Sequence, residues 1–514
     1  MVNLHLRKVL SLQTIILLSV ISVSFFFLAW PLVGLTPFIF LALAPLVIVA
    51  RNREIKYNYK MFIIWLSFII SNIAISFWIT KLSVVGAIVY WVVSATLQTL
   101  PFLFLLSKTS SYIAFISFWI LLEGLQLHSE FSFPLFILGN ALSGLPALIQ
   151  WYQITGVLGG SLWVLLVNLL VAEAIGLGLR KAALAIVPVL LLPIVSNFIF
   201  STKKSYKNLN VLIGHINVNC YTEKFAQTSD ELLAKYVKIT KTKLTNNTDL
   251  ILWPETAVTD FGWLEDIPTK NRTLNSLIDS LKIYPNTTLI TGGILYEKAP
   301  FNAPSSSYSE EMGYSFYTYN SAIGLDFENQ NISIRHKEKL VPVEEYQPYP
   351  FLTKYLSFIY SSLSGLKFNK KILGNSMFEI KQSRILPLIC FEILYGDFVN
   401  KKSLKANGIV LLMNEGWYDN LWASGQFLAI TKIRAIEQQK NIAIASNRGN
   451  SGFVHPDGTF ETTNRHKAEA ITGLLGLNKT RTFYAQFGDF IIRFAAISFI
   501  LSTILIIKQK FSTS

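Results

Sequence analysis

The chain changes character twice. From about residue 12 to 200, apolar residues run in long stretches broken by short polar or Pro/Gly loops. From about 201 to 486 the apolar runs shorten and alternate with polar ones, and a last apolar run, FIIRFAAISFILSTILII, fills 490–507. A membrane-spanning helix needs roughly 20 mainly apolar residues. The first region offers such stretches near 12–30, 34–50, 61–79, 84–106, 111–127, 158–177 and 182–200, and with 490–507 they predict about eight spans. Arg7 and Lys8 ahead of the first stretch resemble the start of a signal peptide. No small-residue cleavage site followed by polar sequence appears, so the stretch is read as a retained span. Pro31 and Pro37 leave the ends of the first two spans soft.

Between 209 and 470 the pattern is that of short β-rich runs alternating with longer amphipathic ones. Strands are predicted at 210–218, 249–253, 288–296, 319–326, 385–390, 408–414 and 441–446, and helices at 225–244, 268–283 and 422–439. Nearly continuous apolar strands imply sheets covered on both faces. The resulting organisation is a polytopic α-helical membrane region over 1–200, a soluble α/β domain over 201–486, and a closing span with a short tail over 487–514.

Composition agrees with that division. The chain is 52% hydrophobic and only 15% charged, with a mean hydropathy of +0.43, against about 25% charged in ordinary soluble domains. Its net charge of +14 would suit nucleic acid, but no RNA-binding motif or aromatic-basic interleaving supports that. The Lys and Arg positions point to topology instead. With the N-terminus in the cytoplasm, Arg7, Lys8, Arg51, Arg53, Lys56, Lys60, Lys108, Arg180, Lys181, Lys508 and Lys510 all fall inside, and the short outer loops receive little beyond Lys81. Lys203, Lys204 and Lys207 run against this, but they lead into a long domain, where the rule is weak. The soluble domain is therefore expected outside the cytoplasm. Two cysteines make no disulfide framework, although Cys220 and Cys390 leave one pairing open. Six scattered histidines lack metal-ligand spacing, and neither a metal nor a cofactor is expected. The stretch 303–315 reads as a polar loop.

Three reactive residues stand just past predicted strands, where a rigid sheet holds functional groups on loops. Glu255 follows LILW in WPETAV, Lys337 follows ISIRH, and Cys390 ends ILPLIC. A carboxylate can take the thiol proton, and an ammonium can stabilise a thiolate and the oxyanion formed by attack on a carbonyl. Each residue also has a plainer reading: Cys390 as inert packing, Glu255 as the neighbour of a helix cap, Lys337 as a surface residue beside Lys339. Spacing alone does not join them.

The words around them do. WPETAV, HKEKLVPVEEY and ICFEILYG, in that order, resemble the nitrilase superfamily of carbon–nitrogen hydrolases. With spans before the domain and one after it, the chain resembles the apolipoprotein N-acyltransferase family within that superfamily. TGGILY, YNSAIGLD, NEGWYD, the long QFLAITKIRAIEQQKNIAIASNRGNSGFVHPDG, RTFYAQFGD and, among the spans, GLPALIQWYQITGVLGGSLWVLLVN carry the same resemblance, which thus covers most of the chain. It implies an α-β-β-α sandwich with Glu255 as general base, Lys337 as oxyanion stabiliser and Cys390 as nucleophile. Glu345 and Glu392 fall at the positions of supporting acids, and Trp417 and Tyr418 are candidates to line the substrate opening, with core packing as the alternative. Two departures stand out. Val343-Glu344 replaces the family's Phe-Gly, which leaves the loop conformation open where a glycine supplies positive φ, and Gln426-Phe427 replaces its Gln-His.

The resemblance further implies acyl transfer in the bacterial inner membrane, with the catalytic domain on the periplasmic side and the enzyme acting as a monomer. The donor is a phospholipid, usually phosphatidylethanolamine, and a thioester forms on Cys390. The acceptor is the N-terminal amine of S-diacylglyceryl-cysteine on an apolipoprotein. Two rivals remain: a membrane-anchored nitrilase-like amidase that releases acid to water, and a transporter. Against transport, the spans hold few charges, with Glu123 and Glu173 near predicted ends.

Overall fold

A computed structural model describes residues 10–52, 55–106, 111–129, 133–177, 187, 191, 195–196, 200, 205–224, 226–267, 271–282, 284–301, 303, 305–346, 367–373, 376–462 and 467–513. The chain divides into two compact units, one of 1–80, 84–201 and 482–514, the other of 81–83 and 202–481.

The first unit is helical. Its elements are α1 (Leu12–Ala29), α2 (Ile39–Ala42), α3 (Ala44–Arg51), α4 (Tyr57–Ser76), α5 (Val84–Thr99), α6 (Leu103–Leu106), α7 (Tyr112–His128), α8 (Tyr152–Leu177) and a closing helix, Phe490–Thr513. Among the described residues five helical stretches are long and apolar enough to cross a membrane: Leu12–Ala29, Tyr57–Lys81, Val84–Leu106, Tyr152–Ala174 and Phe490–Gln509. Thr36–Arg51 and Tyr112–His128 are apolar but shorter. The run at 182–200 lies mostly outside the described residues.

The stretch predicted as a single span at 34–50 is broken. A 3₁₀ turn at Thr36–Phe38 leads into α2, and α3 restarts at Ala44, with Pro37 and Pro45 each in a first turn, where a missing N–H costs nothing. The break leaves backbone groups that lipid cannot satisfy. Asn168 of α8 meets them: its Oδ1 accepts from Leu43 N at 2.7 Å and Ala44 N at 3.0 Å, and its Nδ2 donates to Ile39 O at 2.9 Å. Lys60 then closes the far end of α3 by donating to Ala50 O and Asn52 O at 3.1 and 2.9 Å. Glu173 pairs with Arg51 and Tyr112. Glu123 accepts from Trp119 Nε1 at 3.0 Å and from Leu138 N at 2.9 Å, so both acids brace helices. α8 itself kinks at Gly156, whose φ of +64° and contact with the Tyr484 ring exclude a side chain.

The second unit is an α-β-β-α sandwich. Eight strands form the first sheet: β1 (Lys207–His215), β2 (Leu250–Leu252), β3 (Val258–Trp263), β4 (Thr288–Ala299), β5 (Ser307–Ser309), β6 (Tyr314–Asp326), β7 (Asn331–His336) and the late β14 (Glu469–Leu477). Six form the second: β8 (Phe378–Ile380), β9 (Ser383–Ile389), β10 (Gly408–Asn414), β11 (Ile442–Asn447), β12 (Gly452–Val454) and β13 (Phe460–Thr462). β1-β2-β4 and β9-β10-β11 are parallel, so their carboxyl ends gather on one side of each sheet.

Period-2 alternation sets the layers. Leu209, Val211, Ile213, Leu250 and Leu252 pack against Ile385, Ile389, Val410, Leu412, Ala443 and Ala445 of the second sheet. Their alternates Leu212 and Ile251 face Leu232, Leu233 and Tyr236 of α9 (Ser229–Lys241) and Leu274, Leu277 and Leu281 of α10 (Arg272–Leu281). The outer helices of the other side are α11 (Gly396–Ser403) and α12 (Leu421–Gln438), and α12 is buried along most of its length. The predicted strands and helices are present with shifted ends. β3, β5, β8, β12, β13, β14 and α11 are not among the predicted elements, β7 entered only as the ISIRH run before Lys337, and β5 lies inside the stretch read as a polar loop.

Candidate active site

β2 ends at Leu252, and Trp253-Pro254 carries the chain off the sheet. The Trp253 indole is pinned by Thr240 Oγ1 at 2.9 Å and stacks on Tyr236, so Glu255 starts from a fixed point. β4 passes so close that a Cβ on Gly292 would lie 2.6 Å from Glu255 Cα and 2.4 Å from Thr256 N. Only glycine fits there. The Glu255 side chain is 3% exposed, and its Oε1 accepts from Lys337 Nζ at 2.9 Å and Asn320 Nδ2 at 2.8 Å.

Lys337 follows β7 and is 1% exposed, not a surface residue. Its backbone N donates to Asn320 O at 2.8 Å, and its Nζ sits between two carboxylates, 2.9 Å from Glu255 Oε1 and 2.9 Å from Glu345 Oε1. Burial opposes the charge on Lys337, but the carboxylates of Glu255 and then Glu345 outweigh it and hold the ammonium well above the usual lysine range. Burial also raises the Glu345 carboxyl, with Lys337 opposing and Glu255 adding to the rise. His336, next in the chain, is kept neutral: burial first, then the charge of Lys371, pushes its pKa down to about 4.

Cys390 ends β9 as the first residue of a 3₁₀ turn, Cys390–Leu394, and its φ is +45°. Non-glycine residues adopt that conformation only when their surroundings hold it. The holder is Glu392. Fully buried, it accepts from Ile389 N at 2.9 Å, from Glu338 N at 2.8 Å and from both terminal nitrogens of Arg335 at 2.8 Å. One carboxylate thus ties the Cys390 turn to the segment carrying Lys337. Burial raises the Cys390 thiol well above its ordinary range. The negative charge of Glu255 adds to this, against the opposing Lys337 ammonium and the Asn414 backbone N–H. At rest the group is a protonated thiol beside a base. Cys220 is also buried, and both cysteines are free thiols, which closes the question of their pairing.

The loop to Glu345 carries the Val343-Glu344 departure. Glu345 Oε2 accepts from Val341 N at 2.7 Å, and Val343 N donates to Tyr346 O at 3.0 Å. The left-handed residue is Val343, with φ +74°, one place before the glycine position in the family pattern; Glu344 has no positive φ. A β-branched residue there is strained by about 1–3 kcal/mol. Val343→Gly is expected to raise stability by about 1 kcal/mol after the extra chain entropy of glycine is subtracted. Thermal unfolding in detergent reads this directly, and a lowered midpoint would mean that the valine side chain contributes more through packing than it costs in strain.

Trp417 is half-buried, with its ring edge-on to Tyr221. Tyr418 is 4% exposed and stacked on Phe427 at 5.6 Å and 4°, a packing role. The His-to-Phe departure at 427 thus supplies the ring on which Tyr418 rests. Sequence reasoning missed Asn320, whose one amide orders Glu255 and whose backbone oxygen orders Lys337, and also Arg335. A polar Asn amid the apolar YNSAIGLD, and an Arg inside a strand otherwise read as β, were the available signals.

An acid that can accept a proton, a cation beside it and a thiol within their field suit nucleophilic attack on an acyl carbon. Residues 22–170 match the apolipoprotein N-acyltransferase N-terminal domain, and residues 214–483 match the carbon-nitrogen hydrolase family. An apolipoprotein N-acyltransferase from Chlorobaculum tepidum is 24% identical over 505 residues, covering 92% of each chain. One from Geobacter metallireducens is 25% identical over 505 residues, covering 92% of this chain and 91% of its own. A solved nitrilase-superfamily protein from Saccharomyces cerevisiae has 15% identity and a TM-score of 0.37, covering 54% of this chain and 93% of its own.

Proposed function

The chain belongs to the carbon–nitrogen hydrolase family, and on that premise we propose that it is an acyltransferase that moves an acyl chain from a phospholipid to the N-terminal amine of a diacylated apolipoprotein. Glu255 takes the Cys390 proton as Sγ attacks the ester carbonyl. The oxyanion of the tetrahedral intermediate forms beside the Lys337 ammonium. The C–O bond breaks, the departing oxygen takes the proton back from Glu255, and lysophospholipid leaves a thioester on Cys390. The acceptor amine then attacks the thioester, Glu255 takes a proton from nitrogen, the C–S bond breaks and the thiol is restored. Glu345 also holds Lys337, at the same 2.9 Å as Glu255, so the cation does not close onto the base alone.

The observation that carries this reading is the Lys337 ammonium wedged 2.9 Å from each of two carboxylates in the field of a buried thiol. The apolar helices of the first unit support a lipid donor, since phospholipid is delivered from a bilayer. The donor is phosphatidylethanolamine, the enzyme is a monomer with about eight spans, and the catalytic domain is periplasmic to a bacterial inner membrane. The Lys/Arg bias of the short loops supports that orientation.

Detergent-solubilised protein exposed to phospholipid alone, with a mass-labelled acyl chain, should carry one acyl group on Cys390. Decay of that adduct on adding amine marks a transferase, decay in water at the same rate marks an amidase, and no adduct removes the covalent mechanism. For orientation, a cysteine at the exposed Glu310 should react with a membrane-impermeant reagent in intact spheroplasts, with little background from two buried native thiols. Labelling only after lysis would reverse the topology.

A further inference from the structure

A second buried cation stands against the backbone of the Glu255–Thr256 turn and takes no part in the steps above. Lys224 ends a single π-helical turn, Cys220–Lys224, and is 3% exposed. Its Nζ donates to Thr256 Oγ1 at 2.5 Å and reaches Glu255 O at 3.4 Å. Thr256 is β-branched with a φ of +47°, a conformation such residues adopt only under constraint. Gly292 makes room for that turn, and the Lys224 bond ties it down.

The same ammonium reaches the other sheet. The Asn414 carboxamide, oriented so that its oxygen meets the cation and not the Asn447 amide nitrogen, accepts from Lys224 Nζ at 2.8 Å and Trp417 Nε1 at 3.2 Å. Asn414 closes β10, whose Leu412 pairs with Ile389 of β9, the residue before Cys390. Lys224 therefore joins the turn that presents Glu255, at the end of β2, to the strand end that lies beside the Cys390 turn. Burying an ammonium is unfavourable unless its donors are used, and here they go to the two flanks of the site.

We propose that Lys224 is a positioning residue for acyl-enzyme formation, holding the Glu255 turn of the first sheet and the Asn414 strand end of the second at the spacing that proton transfer from Cys390 needs. This rests on the assignment of Glu255 as base and Cys390 as nucleophile. A simple staple between sheets would lower the folded fraction only; a positioning residue lowers the rate of the enzyme that is folded.

Single-turnover acylation of the full-length protein in detergent by labelled phospholipid separates these, because the amplitude counts folded enzyme and the rate constant reports geometry. Lys224→Met is expected to slow acylation at saturating lipid about 10- to 100-fold, the scale of a small misplacement of reacting groups. The lipid concentration for half-saturation should stay within about twofold, since this binding contact is not touched. A reduced amplitude at the wild-type rate constant would overturn the proposal. If Lys224→Met does not fold, Thr256→Val decides: it keeps the branched shape, removes the acceptor, and should slow acylation about 3- to 10-fold, the worth of one hydrogen bond. A wild-type rate in that variant sinks the proposal. Absence of a Cys390 adduct in the wild type would overturn the transferase reading and this proposal together, whereas a labelled wild type with unslowed variants would overturn this proposal alone.

Discussion

Cys390→Ala is expected to yield a protein that inserts and unfolds like the wild type but forms no acyl adduct, with transfer reduced by on the order of 10⁴- to 10⁶-fold, the scale of removing a nucleophile. The strained backbone of residue 390 is present in both proteins, and alanine fills most of the buried site, so folding should change little. Cys390→Ser is expected to fare nearly as badly, because a neutral hydroxyl is a far weaker nucleophile than a thiol that loses its proton during attack. Intact-protein mass measurement after exposure to phospholipid checks both. Cys220→Ala should keep most activity, and an adduct that persists in Cys390→Ala but vanishes in Cys220→Ala would transfer the chemistry to the other thiol.

The second large effect divides the work of the two charged partners. Glu255→Gln keeps the hydrogen-bonding shape but cannot take the thiol proton, so thioester formation should slow by about 10²- to 10⁴-fold, the usual worth of a general base. Because the resting Cys390 is held protonated by burial and by the charge of Glu255, no standing thiolate bypasses that step. Lys337→Met should slow both acylation and transfer to the amine, since each passes through an oxyanion, by at least about 10²- to 10³-fold. It also leaves Glu255 and Glu345 without the ammonium between them, and two close carboxylates favour uptake of a proton by one of them. Single-turnover acylation followed by an amine chase resolves the two steps. A Glu255→Gln protein acylated at the wild-type rate would remove Glu255 from the mechanism, and unperturbed rates in Lys337→Met would leave that lysine a purely structural ion pair.

The apolar runs were legible because lipid and a doubly covered sheet both demand them; α1, the parallel strands and the carboxyl ends of β2 and β9 follow from that. The break at Leu43 was not, because it depends on Asn168, 125 residues away in the chain. The triad residues were visible as chemistry at strand ends, yet only the surrounding words joined them. Their burial was hidden for the same reason: a lysine in HKEKLVPVEEY looks solvated until Glu255 and Glu345 are placed against it. The left-handed residue of the 341–346 loop is Val343, where hydrogen bonds from Val341 N to Glu345 Oε2 and from Val343 N to Tyr346 O hold the turn, which no local pattern gives away. Lys224 acts through contacts that no local pattern encodes.

The strand order also sets a schedule for biosynthesis. Within the second unit Glu255, Lys337 and Glu345 are made before Cys390, which emerges only with β9. Even then the first sheet has an open side, because β14 pairs with β1 along nine residues, Lys207↔Leu477 to His215↔Glu469. A nascent chain that has not reached Leu477 carries base, ammonium and thiol but leaves the β1 edge unpaired, a template for association with other chains. Chains truncated before residue 469 should therefore be cleared or aggregate, and should not linger as exposed, acylatable thiols. The last strand to be made closes the edge of the sheet that carries the base.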